Sequence, residues 1–224
     1  KLYVDGVIED EILLENETLP IAASDNYTIG HWGNFSSVFD GVIDELRISA
    51  ADRLGTPWTE PGYGWSKPYD AREPNTVALF HMDEGEGVHT FGANTLYQDA
   101  YDMAFNMGGS PSATWVDGPD SLFNYALNFD GIENSTGAYL TAGSHNTEMA
   151  VATGPATIEM WMNVNSYPTG GCTFASRTAP EVAWQLKLTD AGEIQYAHKG
   201  VLGAWTGHNT EYVMPLDEWH HVAI

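Results

Sequence analysis

The chain has 224 residues, with 31 acidic and 8 basic side chains and a formal charge of −23. So negative a surface repels phosphate backbones and anionic membranes, which excludes general nucleic-acid binding and suits a binder of cations or a protein living in salty water. Hydrophobic residues make up 43% and aromatics 12%, with 8 Trp and 11 Tyr, enough for a packed core.

The chain opens directly on a strand pattern, Lys1-Leu2-Tyr3-Val4, and so reads as an interior piece of a longer or processed protein. Asp5-Gly6 then carries hairpin-turn chemistry, which Asp40-Gly41 and Asp130-Gly131 repeat. Runs of β-branched and aromatic residues predict further strands over 27–30, 41–49, 77–82, 125–129, 138–141, 157–164, 183–188, 194–197 and 219–224. Residues 50–54 have room for one helical turn. Residues 53–76 break the pattern with four Pro and three Gly, and read as a linker or long surface loop. Its aromatics, Trp58, Tyr63, Trp65 and Tyr69, predict that it lies against the protein surface. No apolar run approaches the roughly 20 residues that a membrane span needs. Short strands at close spacing, with no long 3.6-residue period, predict an all-β sandwich or barrel.

Chemistry-bearing residues are few. Cys172 is the only cysteine, so an intramolecular disulfide and a cysteine zinc site are excluded. Sequons at Asn16, Asn26, Asn34 and Asn134 permit glycosylation and no more. The eight histidines show no zinc-ligand spacing, and of the neighbours His220 and His221 only one faces inward on a strand. There is no Gly-x-Ser-x-Gly elbow for a nucleophilic serine. Asp44 and Glu45 sit in a strand pattern, which points them to opposite faces. An acid between Ile43 and Leu46 needs a partner, either Arg47, solvent or a cation. The Asp83-Glu84-Gly85-Glu86-Gly87 stretch lacks EF-hand spacing. Eight tryptophans cannot share one core. Trp161 and Trp219 alternate with polar neighbours and read as core, whereas Trp32 and Trp205, with His31, His208 and Asn209 nearby, read as surface positions able to stack on and hydrogen-bond a sugar.

Several phrases together resemble the laminin-G-like branch of the concanavalin A-like lectin/glucanase superfamily. They are Val77-Ala78-Leu79-Phe80-His81-Met82-Asp83-Glu84-Gly85-Glu86-Gly87, Ala126-Leu127-Asn128-Phe129-Asp130-Gly131, Thr157-Ile158-Glu159-Met160-Trp161-Met162 and Glu218-Trp219-His220-His221-Val222. The phrases that close such a module stand at the front: Leu2-Tyr3-Val4-Asp5-Gly6, Tyr27-Thr28-Ile29-Gly30 and Phe39-Asp40-Gly41-Val42-Ile43-Asp44-Glu45-Leu46-Arg47-Ile48. Their order is cyclically permuted. The family's Val-x-Asp-x-Ser-Gly phrase has only Asp99 to match it.

The resemblance implies a two-sheet antiparallel jelly roll. Residues 1–52 would be its C-terminal half, 53–76 a linker and 77–224 its N-terminal half. The halves would meet within one chain or by exchange between chains. It implies a non-catalytic, extracellular or cell-surface lectin-like module whose partner is a glycan or cell-surface polymer. If halves exchange, the chain would instead self-associate as a structural subunit of a fibre or surface layer. It also implies a structural Ca²⁺ held by Asp44 with Asp83 and Glu84. Glucanases of the superfamily carry Glu-x-Asp-x-x-Glu on a central strand, where this chain has only Glu159, so enzymatic activity is not expected.

Overall fold

The structure, a computed structural model, describes residues 1–11, 26–31, 38–52, 75–87, 89–93, 103–108, 113–120, 123–132, 138–141, 156–178, 183–199 and 205–224. Among them there are sixteen strands and no helix. The first eight are β1 (Leu2–Val4), β2 (Val7–Asp10), β3 (Asn26–Ile29), β4 (Asp40–Ser49), β5 (Thr76–Phe80), β6 (His89–Ala93), β7 (Met103–Gly108) and β8 (Thr114–Asp117). The remainder are β9 (Tyr125–Asp130), β10 (Tyr139–Thr141), β11 (Thr157–Val164), β12 (Cys172–Thr178), β13 (Ala183–Leu188), β14 (Glu193–Lys199), β15 (Trp205–Val213) and β16 (Trp219–Ala223).

Each of the ten predicted strands overlaps an observed one. The pattern missed β2, β6, β7, β8, β12 and β15. Residues 50–52 bend rather than coil into a helix, and most of the 53–76 segment, with Trp58, Tyr63, Trp65 and Tyr69, lies outside the described residues. Asp5-Gly6 does turn: both residues have positive φ, at 48° and 76°, as a two-residue hairpin between β1 and β2 requires. Asp40-Gly41 does not turn. It opens β4, paired with β9 on one side and β11 on the other.

Every pairing between named strands is antiparallel. The ladder runs β15-β14-β13-β12-β3-β10-β7-β6-β5-β4-β11-β16-β1-β2, with β9 on β4 and β8 on β9. It folds back on itself, so that β15 at one end lies against β2 at the other. The result is two antiparallel sheets packed as a sandwich around one core. Phe39 marks the middle of that core, with ring centroids 6.1 Å from Phe129 in one half and 6.4 Å from Phe174 in the other. The N-terminal segment joins both layers: β1 pairs with β16, β3 with β10 and β12, and β4 with β5, β9 and β11. Tyr3 stands opposite Ala223, so the first and last strands are neighbours within one chain.

Two features of β4 position the site. The first is its shared edge. Asp40, Gly41, Val42 and Ile43 pair with β9, whereas Leu46, Arg47, Ile48 and Ser49 pair with β5. Asp44 and Glu45 fall in the gap where the two neighbours part. The second is a bulge. On β11, Glu159 stands opposite Arg47 and Trp161 opposite Asp44, so three steps along β4 match two along β11. Glu45 takes a left-handed φ of 51° to make the extra step, an uncommon conformation for a residue with a side chain. The bulge resets the alternation. Ile43, Leu46 and Ile48 all reach the core, and Asp44 and Glu45 both fall in the step between. The bulge breaks the alternation on which the expectation of opposite faces rests, because period 2 holds only where the ladder is unbroken, and both acids are fully buried.

Candidate functional site

The gap beside the bulge is filled by the segment that leaves β5. His81 follows Phe80 directly. Met82 then adopts a φ of 56° and is wholly buried in the core, which anchors the segment between His81 and Asp83. Gly85 has a φ of 68°, and a Cβ there would come within 2.5 Å of the Tyr125 ring, so only glycine lets the loop pass. The Tyr125 amide donates to Asp83 Oδ1 at 3.4 Å, and Trp115 Nε1 donates to the Gly87 carbonyl at 3.2 Å. The loop is thus fastened to the β8–β9 hairpin.

This brings Glu45, His81 and Asp83 together, with one ligand atom of each lying within 4.8 Å of the others. Glu45 Oε1 and His81 Nδ1 are 2.6 Å apart. Glu45 is fully buried, and the His81 side chain is 36% exposed. Burial alone would lower the His81 pKa. The hydrogen bond to Glu45 and the charges of Glu45, Asp83 and Glu84 outweigh it, and the net shift is upward. Asp44 lies beside them, also fully buried. Its Oδ1 accepts the Glu45 amide at 2.8 Å, while Oδ2 has no hydrogen-bond partner. Burial pushes the Asp44 carboxyl up to about 10; the neighbouring charges of Glu45 and Asp83 add to the shift, and the Glu45 amide opposes it.

Of the acids expected at a metal, the structure brings Asp83 into the cluster. Glu84 is half-buried beside it, and Asp44 stands behind Glu45 rather than among the gathered ligand atoms. Sequence reasoning missed Glu45 and His81. The signal for Glu45 was present in the change of apolar phase from Ile43 to Leu46 and Ile48. That for His81 was its place two residues before Asp83.

Arg47, the partner considered for Asp44, is engaged elsewhere. Its Nε contacts Glu159 Oε1 at 2.6 Å, both side chains being essentially buried, and Glu159 Oε2 lies 3.6 Å from His221 Nε2. Trp161 packs edge-on to His221 at 5.7 Å and Phe123 to Trp161 at 5.6 Å. Burial, assisted by the Arg47 charge, pulls the His221 pKa down to about 3. Below about pH 6.5 the unfolded chain binds a proton here that the folded one refuses. Stability should therefore fall between pH 6.5 and 3 by up to about 1.4 kcal/mol per pH unit from this residue. Urea melts of His221→Gln against the parent, at pH 7 and 4.5, should show a shallower loss on acidification in the variant.

Of the five residues expected to touch a ligand, the four that lie among the described residues do not share one face. Trp32 lies outside the described residues. His31 is buried at the end of β3, edge-on to Tyr139 at 4.4 Å. Four strand spacings of about 4.8 Å separate β3 from β15. Trp205 and Asn209 do share one face of β15, with Gly207 between them. His208 takes the opposite face, stacked on His198 at 5.6 Å and 9°. Distance across the sheet separates His31 from β15, and alternation along β15 separates Asn209 from His208. Trp205 is 40% exposed. Asn209 is bonded to Gln195 and to Glu193, the latter at 3.3 Å. Cys172 is buried, and its thiol is pushed up to about 12 by that burial, so it is an inert core residue.

With this geometry in place, comparison with known proteins gives one match. Residues 134–224 match the family model Laminin_G_3, described as the concanavalin A-like lectin/glucanases superfamily. The match bears out the superfamily resemblance and agrees with the all-β sandwich. It covers β10 to β16, including Trp205 and Asn209, and stops short of the bulge and of the Glu45–His81–Asp83 cluster. No curated protein and no solved structure matches the chain.

Proposed function

We propose that this chain is a non-catalytic, extracellular carbohydrate-binding or adhesion module, stabilised by a cation at the corner between β4, β5 and β9. The observation that carries the binding role is the outer face of β14 and β15. There the exposed Trp205 ring shares a side with the Asn209–Gln195 amide pair and Glu193. Gly207 leaves a dip between them, where a Cβ would sit only 3.3 Å from Gln195. A ring beside fixed amide and carboxylate groups suits a sugar, whose C–H face stacks and whose hydroxyls both donate and accept. Laminin-G-like folds are generally non-catalytic, and the central strand β11 offers Glu159 as its single carboxylate, already taken by Arg47.

A cation is supported by the donor chemistry of the corner: two carboxylates and an imidazole converge, and the buried Asp44 carboxyl beside them keeps an unbonded oxygen. Calcium is the ion that the superfamily resemblance implies, there on Asp44, Asp83 and Glu84; in this reading Glu45 and Asp83 would be its carboxylate donors, with Glu84 beside them. The N-terminal residues 1–52 act in this reading as the closing half of a permuted module. Exchange into a fibre would require the β1–β16 and β4–β11 pairs between chains, whereas here both are made within one.

A glycan panel followed by titration calorimetry tests the reading. Trp205→Ala is expected to weaken binding about tenfold, close to 1.4 kcal/mol, with the fold intact by circular dichroism. Light scattering should find a 24.5 kDa species. Failure of every glycan to bind, or indifference to Trp205→Ala, would sink the sugar-binding role. A polymer would move assembly to first place.

A further inference from the structure

We infer that the ion held by Glu45, His81 and Asp83 is a nitrogen-accepting divalent ion of the Zn²⁺ class rather than calcium. The inference rests on the reading that this corner holds a cation. Calcium takes six to eight oxygen ligands in a flexible shell. The gathered set here is one imidazole nitrogen and two carboxylate oxygens, within 4.8 Å of one another. Such a mixed set, with a water completing four, is the donor chemistry of zinc and its first-row neighbours.

The scaffold favours a small, fixed shell over a loose one. Glu45 is held on a bulge in a left-handed conformation, and His81 and Asp83 flank a methionine locked in the core. Ligand atoms around a tetrahedral zinc lie roughly 3.4 Å apart. The Glu45–His81 pair at 2.6 Å needs only to open by a fraction of that to admit the ion. The half-exposed His81 leaves a path for entry, while the buried Asp44 carboxyl stands behind Glu45.

The test uses the chelator-stripped protein with ZnCl₂, CoCl₂ and CaCl₂ in turn, followed by calorimetry, thermal melting and, for cobalt, visible absorption. Zinc is expected to bind one to one and raise the melting temperature, and cobalt to give the intense d–d bands of a four-coordinate site. Calcium at equal concentration should do neither. His81→Asn should weaken zinc by about 100-fold or more, while His220→Asn, on β16 beside Asp5, leaves it unchanged. If His81→Asn does not fold, Asp83→Asn with the cobalt spectrum reads the same shell. Binding of calcium without zinc overturns this inference and leaves the proposed function standing. Zinc binding that survives His81→Asn also overturns it, since the ion then sits on other histidines. A protein that no divalent cation binds or stabilises removes both this inference and the cation in the proposed function.

Discussion

Replacing Arg47 with methionine is expected to destabilise the protein by about 3–5 kcal/mol at pH 8. Arg47 and Glu159 are both buried on the face of β4 and β11 that turns away from the hydrophobic core, at 2.6 Å. Such a pair contributes little net stability, because desolvating two ions offsets their attraction. Removing one partner is another matter, since the other is left charged and dry. Glu159 would then lose its guanidinium partner, and the imidazole of His221 beside it is neutral at pH 8. The pH dependence follows. Acid neutralises buried carboxylates that have lost a counter-charge, so the penalty should shrink toward pH 5. The double variant Arg47→Met with Glu159→Met should recover most of the loss, because an apolar pair leaves no unpaired charge. Urea denaturation of the three variants at pH 8 and 5 decides the matter. A single variant within 1 kcal/mol of the parent would mean that the buried pair is dispensable.

The second large effect is expected at Phe39, where Phe39→Ala should cost about 3–5 kcal/mol. The ring is fully buried between Phe129 of one layer and Phe174 of the other, so its loss empties the middle of the sandwich. Its backbone is equally placed. The Phe39 amide donates to the Gly30 carbonyl at 2.8 Å, and the Gly30 amide donates to the Phe174 carbonyl at 3.0 Å. Gly30 itself has a φ of 87°, and a Cβ there would strike the Phe129 ring at 2.4 Å. The cavity therefore cannot easily collapse without disturbing three strands. Phe39→Leu, which leaves a smaller void, is expected to cost less. Thermal melts of both would separate loss of volume from loss of the aromatic contacts, and equal melting temperatures for both variants would count against the cavity argument.

The strands that the pattern found are those with one clean apolar face, such as Thr157–Val164 and Ala183–Leu188. Three of the strands it missed, β2, β8 and β15, lack such a face, whereas β12 is buried all along 172–177 and so shows no alternation to read. In β2, Val7 and Ile8 are adjacent and both exposed. In β8, Thr114–Asp117 is at most half-buried throughout. In β15, only Thr210 of nine residues is buried. Edge and surface strands owe their pairing to a neighbour's backbone rather than to their own side chains, so a periodicity argument passes them by. Asp40-Gly41 failed as a turn for a related reason: the dipeptide permits a turn, but pairing with β9 and β11 decides otherwise.

The sequence by itself determined the all-β class, the resemblance to the superfamily, the acidic surface, the single inert cysteine and the hairpin at Asp5-Gly6. Composition and local alternation are sufficient for each of these. It also pointed to the two regions, around Asp44 and around Asp83, from which the candidate metal corner is built. Only the tertiary structure decided which side chains meet there. A one-residue bulge at Glu45 rotates the side chains of β4, and a left-handed Met82 turns His81 and Asp83 toward them. Both depend on the parting of β5 from β9 along a single strand, which is a property of strand order across more than eighty residues and leaves no mark in any local stretch of sequence.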